Sequence, residues 1–346
     1  MSQLVDPTPP GGVRLRPVNG GAFVYNGGPG SQSSDGAISN EGTMTLNGVM
    51  FSGNGSGFGA GAIGNYNIAT VNNVTVADNG TVGAGGGIYN GWKMTLTNSL
   101  IANNAGGGIF NDATGTLAIS NVTVTGNGSG AGAAIWNSGG KLTLDNVTIS
   151  GNDAGGSVGG GIYSGIFKAG NLVLKNTILA NNTGGNCAGA VSVASGGHNL
   201  SSDASCGFTA PGDIQNSDPL LGPLADNGGP TETQALLPGS PAIDAGDNLG
   251  CSATDQRGVG RPLDGNGDGV AVCDIGAYEL EAPRCAGDVT GDGEVDASDV
   301  KAVASAMHST PGSERWKAEA DVNGDGVIDV ADLRAVLRAR KAHACG

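Results

Sequence analysis

The chain has 346 residues, of which 66 are glycine, and aromatic residues make up only 4% of it. So few large side chains argue against one ordinary hydrophobic core, whereas the length allows two or three domains. The formal net charge of −15 argues against nucleic acid and against an anionic membrane surface as partners. No apolar run is long enough to span a bilayer as a helix.

A short repeat in residues 21–200 predicts the architecture. Units such as Gly87-Ile88-Tyr89-Asn90 recur about every 25 residues, each followed by two segments in which apolar and polar residues alternate. Three alternating segments per repeat, separated by Asn or Gly, indicate three strands and three turns. One unit cannot bury its own apolar face, so the units must stack. The sequence therefore predicts a mainly β fold, a right-handed parallel β-helix of about seven coils, after an N-terminal extension at residues 1–20.

Asparagines recur in three columns at the same spacing. Asn tolerates left-handed backbone geometry at a corner, and stacked amides can hydrogen-bond from coil to coil. We therefore predict amide ladders that hold successive coils in register. The columns are Asn40, Asn65, Asn90, Asn111 and Asn137; Asn73, Asn98, Asn121, Asn146 and Asn176; and Asn54, Asn79, Asn104, Asn127, Asn152 and Asn182.

An acidic loop occurs twice near the end of the chain. Each copy has oxygen-bearing side chains at positions 1, 3, 5, 9 and 12 and glycine at position 6, a spacing that surrounds calcium with carboxylates, one backbone carbonyl and water. Apolar positions at helical spacing predict a helix after each loop, from Val300 to His308 and from Leu333 to Lys341. The predicted calcium ligands are Asp288, Thr290, Asp292, Glu294, Asp296 and Asp299, and then Asp321, Asn323, Asp325, Val327, Asp329 and Asp332.

A third calcium-like loop begins with Asp264, Asn266 and Asp268. It lacks oxygen ligands at positions 9 and 12, although Asp274 or Asp255 could supply one. A third ion and a glycine-rich acidic turn both stay open here.

The duplicated loop resembles a type I dockerin over residues 285–346. The resemblance lies in Asp at position 12, in the helix after each loop and in the short linker between the copies. It implies a small all-α module that folds around two calcium ions and docks onto a cohesin-like partner. It also implies that positions 10 and 11 contact the partner. Those residues are Ala297 and Ser298 in the first copy and Val330 and Ala331 in the second, so symmetric docking in two modes is not expected.

The repeat itself resembles polymorphic outer membrane protein repeats and pectin-lyase-like folds. Residues 222–231, 238–246, 255–258 and 261–279 resemble a choice-of-anchor Q region, which in bacterial surface proteins precedes a cell-surface anchor. This resemblance implies that residues 201–284 form a disulfide-bearing cap on the β-helix, placed before the dockerin-like module.

All six cysteines lie beyond residue 186. Proximity pairs Cys187 with Cys206, Cys251 with Cys273, and Cys285 with Cys345, which is one of many pairings that six cysteines allow. Zinc is the rival, but no cysteine lies in a CxxC pair. Disulfides together with calcium predict an extracellular or cell-surface protein. Residues 1–20 contain no secretory segment, so we expect the true start to lie upstream.

Tyr89, Phe110, Trp136 and Tyr163 occupy the same position in four consecutive repeats. If the preceding isoleucines point inward, the rings point outward and form a stripe suited to the apolar faces of sugar rings. Packing of the rings against one another is the alternative.

Candidate catalytic residues are sparse in the repeat. Its only acids after residue 43 are Asp78, Asp112, Asp145 and Asp153, which fall in different columns, whereas glycosidases need converging carboxylates. Asp145 and Lys175 share a column and are expected to form a surface ion pair. The sequence therefore favours a non-catalytic protein that displays a glycan- or partner-binding surface. A glycoside hydrolase or polysaccharide lyase of a dockerin-bearing complex, and a purely structural adhesin or surface-layer protein, are the alternatives.

Overall fold

The structure is a computed structural model that describes residues 18–24, 36–57, 59–82, 85–128, 132–165, 172–189, 193–281, 287–290 and 294–342. The chain divides into two compact units. The first comprises Met1–Gly265 and Ala271–Leu280, and the second comprises Asn266–Val270 and Glu281–Gly346.

The first unit is a parallel β-solenoid built on two long sheets. Strands of the seven-stranded sheet lie one coil apart, and the twelve-stranded sheet carries the rest of each coil. The seven are Ile38–Asn40, Ile63–Asn65, Ile88–Asn90, Ile109–Asn111, Ile135–Asn137, Ile162–Ser164 and Cys187–Gly189. The twelve are Val18–Val24, Thr43–Ser52, Ile68–Asn72, Thr75–Ala77, Lys93–Ala102, Thr116–Thr125, Lys141–Ser150, Leu172–Lys175, Ile178–Ala180, Ala194–Ser195, Leu200–Ser201 and Ile214–Gln215.

A third side of the coils is built from short pairings. The strands Gly55–Ser56 and Gly80–Thr81 pair in parallel, and single parallel bridges continue from Gly80 through Ala105 and Gly128 to Thr183. Seven strands separated by one coil each give about six turns. This is slightly fewer than the seven coils predicted, because the first predicted repeat begins at Val24 and continues outside the described residues.

A left-handed residue bends each long strand, so that both halves face the interior. In Thr43–Ser52, Leu46 and Val49 are both buried, although a regular alternation would place them on opposite sides. Gly48 between them has φ 63°, which resets the alternation. At the same place in later coils the φ angle lies between 47° and 52°. The residues there are Asn73, Asn98, Asn121, Asn146 and Asn176, so this predicted column serves mainly as a backbone corner.

The other two asparagine columns are buried amide ladders, as predicted. Asn40 Nδ2 donates to Asn65 Oδ1 at 2.7 Å, and the pattern continues from coil to coil. In the second ladder, Asn127 Nδ2 donates to Asn152 Oδ1 and to Ile101 O, both at 3.0 Å. Asn127 Oδ1 accepts from the backbone N–H of Asn104 at 3.0 Å and from its amide at 2.9 Å. Each interior amide therefore joins two coils by several hydrogen bonds.

Residues 219–265 and 271–280, here called the lateral segment, fold back along the outside of the twelve-stranded sheet. Thr123 Oγ1 donates to Gln256 Oε1 at 2.7 Å, and the backbone N–H of Ala277 donates to Thr148 Oγ1 at 3.0 Å. The backbone N–H of Gly276 donates to Asn176 O at 2.8 Å. The segment includes an antiparallel hairpin of Leu221–Ala225 and Thr233–Leu236.

The lateral segment creates a second apolar cluster outside the coils. Ile178 and Leu200, on the outer face of the sheet, pack with Leu236, Ala242 and Ile275. The resemblance to a choice-of-anchor region implied a cap at residues 201–284, but most of this stretch lies along the side of the solenoid. The reason is that Thr, Ile and Leu side chains on the outer face of the twelve-stranded sheet must be covered by another part of the chain. The spacing of the repeats does not show that they are covered.

Two of the three predicted disulfides are confirmed. Cys187–Cys206 joins the last coil to the following turn, with an S–S distance of 2.00 Å. Cys251–Cys273 links two parts of the lateral segment, with an S–S distance of 2.01 Å. The predicted pair Cys285 and Cys345 lies outside the described residues.

The second unit contains helix α1, Ala297–Ala306, a 3-10 turn at Ala318–Ala320 and helix α2, Val330–Ala342. An antiparallel bridge joins Ser309 to Ile328. The apolar core of this unit consists of Val289, Val303, Ala306, Ala320, Ile328 and Val336. No helix in the described part of the chain has the length and apolar character needed to cross a membrane.

Candidate functional site

The second acidic loop is held in a tight turn by its own oxygen-bearing side chains. Asp321 accepts hydrogen bonds from the backbone N–H groups of Asp325 at 3.1 Å and Gly326 at 2.9 Å. Asn323 Oδ1 accepts from Asp325 N at 2.9 Å, and Asp325 Oδ1 accepts from Val327 N at 2.9 Å. Gly326, at loop position 6, has φ 83°, a left-handed conformation that glycine adopts without strain.

Loop positions 9 and 12 also form the first turn of the following helix. Asp296 is the N-cap of α1, and Asp299 accepts from the Asp296 backbone N–H at 2.8 Å, which completes a capping box. In α2, Asp332 accepts from Asp329 N at 2.8 Å and Asp329 accepts from Ala331 N at 2.6 Å. Each loop end is therefore both a candidate ligand pair and a helix cap.

This double role corrects the predicted helix boundaries. Helices were predicted to start at Val300 and Leu333, after each loop had ended, but they begin at Ala297 and Val330. Loop positions 10 to 12 are already helical because the position-9 aspartate caps the helix. Of the candidate partner-binding residues, Ala297, Val330 and Ala331 are exposed, whereas the Ser298 hydroxyl donates to Asp296 at 2.6 Å.

The position-12 aspartates are fully buried. Asp299 accepts from Val289 N at 2.8 Å, from Thr290 N at 2.9 Å and from Thr290 Oγ1 at 3.0 Å. Burial alone would raise the pKa of Asp299, but these hydrogen-bond donors lower it below the usual value. Asp332 likewise accepts from Asn323 N at 3.1 Å. The buried carboxyl of Asp299 is therefore kept ionised.

The donor set fits calcium, which prefers carboxylate, amide and carbonyl oxygens. Asp321, Asn323, Asp325, Asp329 and Asp332, with the Val327 carbonyl, would hold one ion. In the part of the chain that the structure describes, no three acidic, imidazole or thiol side chains are gathered closely enough to hold a metal.

The first loop offers the same donor types. Asp288, Thr290, Glu294, Asp296 and Asp299 are described, whereas its predicted ligand Asp292 lies outside the described residues.

The third candidate loop stays a prediction. Asp264 belongs to the first unit, whereas Asn266 and Asp268 belong to the second. Asp274 and Asp255, the proposed extra ligands, accept backbone hydrogen bonds within the first unit, from Leu280 and Val259 among others.

The predicted aromatic residues form a continuous ladder on the seven-stranded sheet. Phe110 pairs in register with Tyr89 and Trp136, and Trp136 pairs with Tyr163. Successive ring centroids lie 5.5, 5.4 and 6.1 Å apart. Tyr66 adds a fifth ring, 5.3 Å from Tyr89. Sequence comparison of the repeats missed Tyr66 because it follows the equivalent position, Gly64, by two residues.

The rings of the ladder lean on one another. Tyr89 and Phe110 are nearly parallel, at 9°, and their centroid distance of 5.5 Å corresponds to an offset stack. Phe110, Trp136 and Tyr163 meet edge to face, at 68° and 77°. The ladder is therefore not a flat platform along its length. The most exposed aromatic side chains near it are Tyr66, 42% exposed, and Trp92, 52% exposed.

A cleft of about 400 Å³ opens where the lateral segment stops covering the sheet. Met50, Thr75 and Leu100 lie in one column on adjacent strands and line the cleft with the hairpin residues Leu224 and Pro230. Three exposed carboxyl side chains also line it, namely Asp78, Asp226 and Glu232.

The repeat pattern does not predict this group of three carboxylates. In the repeats, Asp78 stands alone, because no acidic residue of a neighbouring repeat shares its column. Asp226 and Glu232 reach the same cleft because the non-repetitive lateral segment folds back onto the coils.

Buried charges fasten the lateral segment. Arg261 donates to Asp274 O at 3.0 Å and to Gly276 O at 2.8 Å, and lies 3.4 Å from Glu279. Burial, assisted by the charge of Glu279, raises the pKa of Asp274 to about 8. These groups are enclosed and their hydrogen bonds are internal, so we assign them a structural role.

The expected ion pair between Asp145 and Lys175 is not formed. The two residues are in register, as predicted, but Lys175 Nζ lies 2.8 Å from Asp247 of the lateral segment. Burial raises the pKa of Asp145. The prediction was wrong because a distant residue, invisible to the repeat pattern, provides the stronger partner.

Comparison with known proteins identifies the C-terminal module. No curated protein matches the chain. A solved structure described as that of the pectate lyase Pel9A is similar with a TM-score of 0.41 and 12% identity, over 77% of this chain and 87% of that one. Residues 286–339 match the family model described as the dockerin type I domain. This module is therefore a type I dockerin, a domain that binds calcium and docks onto cohesins.

Proposed function

We propose that the protein is extracellular and that its dockerin attaches the β-solenoid to a cohesin-bearing partner when calcium is bound. The match of residues 286–339 to type I dockerins carries this proposal. Both acidic loops have the oxygen donors that calcium needs, and both end in a helix cap. In this proposal the solenoid is non-catalytic and displays a glycan-binding surface.

Calcium binding and helix formation are coupled through shared residues. Bound calcium would supply positive charge that offsets the mutual repulsion of the loop carboxylates. Asp329 and Asp332 would hold the ion with their remaining lone pairs, while their hydrogen bonds fix the first turn of α2. Because the native module binds the ion and the unfolded chain does not, calcium stabilises the module.

Replacing Asp332 by Ala removes a buried ligand and one half of a helix cap. We expect the variant to bind calcium in the second loop about 100-fold more weakly, or not at all, because a closing ligand is lost. Calorimetric titration of the full chain measures this, with Glu319→Ala as control, since Glu319 is an exposed acid of the same unit. Unchanged calcium affinity and stoichiometry in Asp332→Ala would contradict the assignment.

The glycan-binding proposal rests on the exposed end of the aromatic ladder. Tyr66 and Trp92 have the largest exposed aromatic surface there, and Tyr89 packs beside Tyr66. Aromatic side chains of this kind combine an apolar face with a polar edge, as sugar recognition requires.

Replacing Tyr66 and Trp92 together by Ala should weaken retention on insoluble cellulose, xylan or chitin by about tenfold or more, equivalent to ~1.4 kcal/mol. The control is Ile68→Ala, which should retain normal binding. Ile68 is an aliphatic residue, 40% exposed, at the start of the strand Ile68–Asn72. Affinity electrophoresis measures the retention. Equal retention by the double variant and the natural protein would refute the glycan-binding role of this end.

A polysaccharide-degrading enzyme is the second candidate, and the cleft favours it. Glycosidases place two carboxyl groups on either side of the bond that is cleaved. Asp78, Asp226 and Glu232 line one cleft, which the repeat pattern alone had not indicated. None of the described residues that line the cleft is Lys or Arg, which a lyase would need to neutralise an acidic sugar.

If the enzyme hypothesis is right, Glu232→Gln or Asp226→Asn should lower product formation from a polysaccharide panel about 1,000-fold, as removal of a catalytic group does. Asp153→Asn, at an exposed acid outside the cleft, should leave it unchanged. Mass spectrometry of soluble products measures the outcome. If the folded natural protein releases no products, the enzyme hypothesis is rejected. If it also fails to be retained on glycans, the purely structural adhesin is the hypothesis that is left.

A further inference from the structure

One column of side chains runs along the outer face of the twelve-stranded sheet, in register from strand to strand. In its later part the Thr123 hydroxyl donates to Gln256 at 2.7 Å. The Thr148 hydroxyl accepts from the backbone N–H of Ala277 at 3.0 Å. The lateral segment therefore already occupies this part of the column. We call the whole row the outer column, and it consists of Met50, Thr75, Leu100, Thr123, Thr148, Ile178 and Leu200.

The outer column is uncovered at its other end, where the cleft of about 400 Å³ lies. Met50 there is 47% exposed, whereas Thr123 and Thr148 are buried. The Thr75 hydroxyl is equivalent in position to the two threonine hydroxyls that fasten the lateral segment, but it has no hydrogen-bond partner among the described residues. The cleft is thus the continuation of an interface that a polypeptide occupies in later coils.

The cleft combines an apolar floor with negative charge. Met50 and Leu224 contribute apolar surface. Asp78, Asp226 and Glu232 contribute exposed carboxyl groups. Among the described residues, no Lys or Arg forms an ion pair with these three carboxylates. Like charges gathered at one cleft repel one another, so this arrangement does not by itself stabilise the fold.

A basic polypeptide fits this combination better than a sugar does. Lys and Arg side chains lay their aliphatic stems on apolar surface and keep the charged group at a polar edge. Arginine also donates two parallel hydrogen bonds to one carboxylate. None of the described residues that line the cleft is aromatic, so a sugar ring would lack the flat apolar partner on which it stacks.

We propose that the cleft docks a basic, extended segment of a partner protein, a role that goes beyond the proposed function. The backbone of this segment takes the place that the lateral segment has in later coils, and it hydrogen-bonds to Thr75. Its aliphatic groups pack on Met50 and Leu224, and its basic side chains meet the three carboxylates. Continuity with the lateral segment identifies the occupant as a polypeptide, and charge complementarity identifies it as basic.

Three synthetic peptides of equal length test the proposal on the full chain in calcium. The first alternates Arg with Val, the second Arg with Ser, and the third Glu with Val. Fluorescence anisotropy of the labelled peptides measures each dissociation constant. The Arg–Val peptide should bind at least about tenfold more tightly than either of the others, because only it matches both the charge and the apolar floor. Its affinity should fall as salt is raised.

Matched variants locate the binding. Asp226→Asn with Glu232→Gln should weaken binding of the Arg–Val peptide about tenfold or more and reduce its salt dependence. The control, Asp153→Asn with Glu41→Gln, removes two exposed carboxylates outside the cleft and should change the affinity less than about twofold. An unchanged thermal unfolding midpoint shows that each variant is folded.

The floor is tested separately. Met50→Gln should weaken binding of the Arg–Val peptide about threefold or more, whereas Ile68→Gln, at an exposed aliphatic residue that does not line the cleft, should leave it unchanged.

Several results would overturn the proposal. Failure of the Arg–Val peptide to bind the natural chain at about 1 mM would reject it outright. Equal binding of the Arg–Ser peptide would reject the apolar floor, and equal binding of the Glu–Val peptide would reject the choice of charge. Equal losses in the cleft variant and in its control would place the binding elsewhere. If soluble oligosaccharides bind the natural chain, lose affinity in the cleft variant and displace the Arg–Val peptide, the cleft is a glycan site instead.

Discussion

Hydrogen bonds between stacked asparagine amides are the interaction on which the solenoid depends. The interior is packed with aliphatic side chains and few aromatic ones, and such non-directional apolar contacts do not by themselves fix the register between coils. Each interior asparagine, such as Asn104 or Asn127, donates to a backbone carbonyl of the preceding coil and to an asparagine amide of the next coil. The ladders thereby fix the register that places Tyr89, Phe110 and Trp136 in one row.

The candidate functional surfaces of the solenoid lie on its regular coils. The lateral segment covers the outer sheet from Ile178 back to Thr123 and stops short of Met50 and Thr75, where the cleft opens. The dockerin has a small apolar core. Its acidic residues serve both as candidate calcium ligands and as helix caps. In the proposed function, attachment and ligand contact therefore belong to separate units of the chain.

The spacing of the sequence repeats predicted contacts between neighbouring coils, but few other contacts. Asn40 and Asn54 with their repeats, the aromatic row and the two acidic loops were all visible because each recurs at a fixed spacing. The lateral segment does not repeat, so the pairing of Lys175 with Asp247 and the meeting of Asp78 with Asp226 could not be read from the sequence. The early start of α1 was missed for another reason, because Asp296 acts as a loop residue and a cap at once.

The most direct test of this account replaces Asn127 by Ala and measures the free energy of unfolding of the solenoid by urea titration in calcium. The account predicts a loss of about 3 kcal/mol, because the buried N–H of Asn104 and the carbonyl of Ile101 lose their partner. Asn72→Ala is the matched control, since Asn72 forms a half-exposed outer ladder with Asn47 in which water can replace the amide; it should cost less than about 1 kcal/mol. Equal losses in the two variants would contradict the central role of the buried ladders.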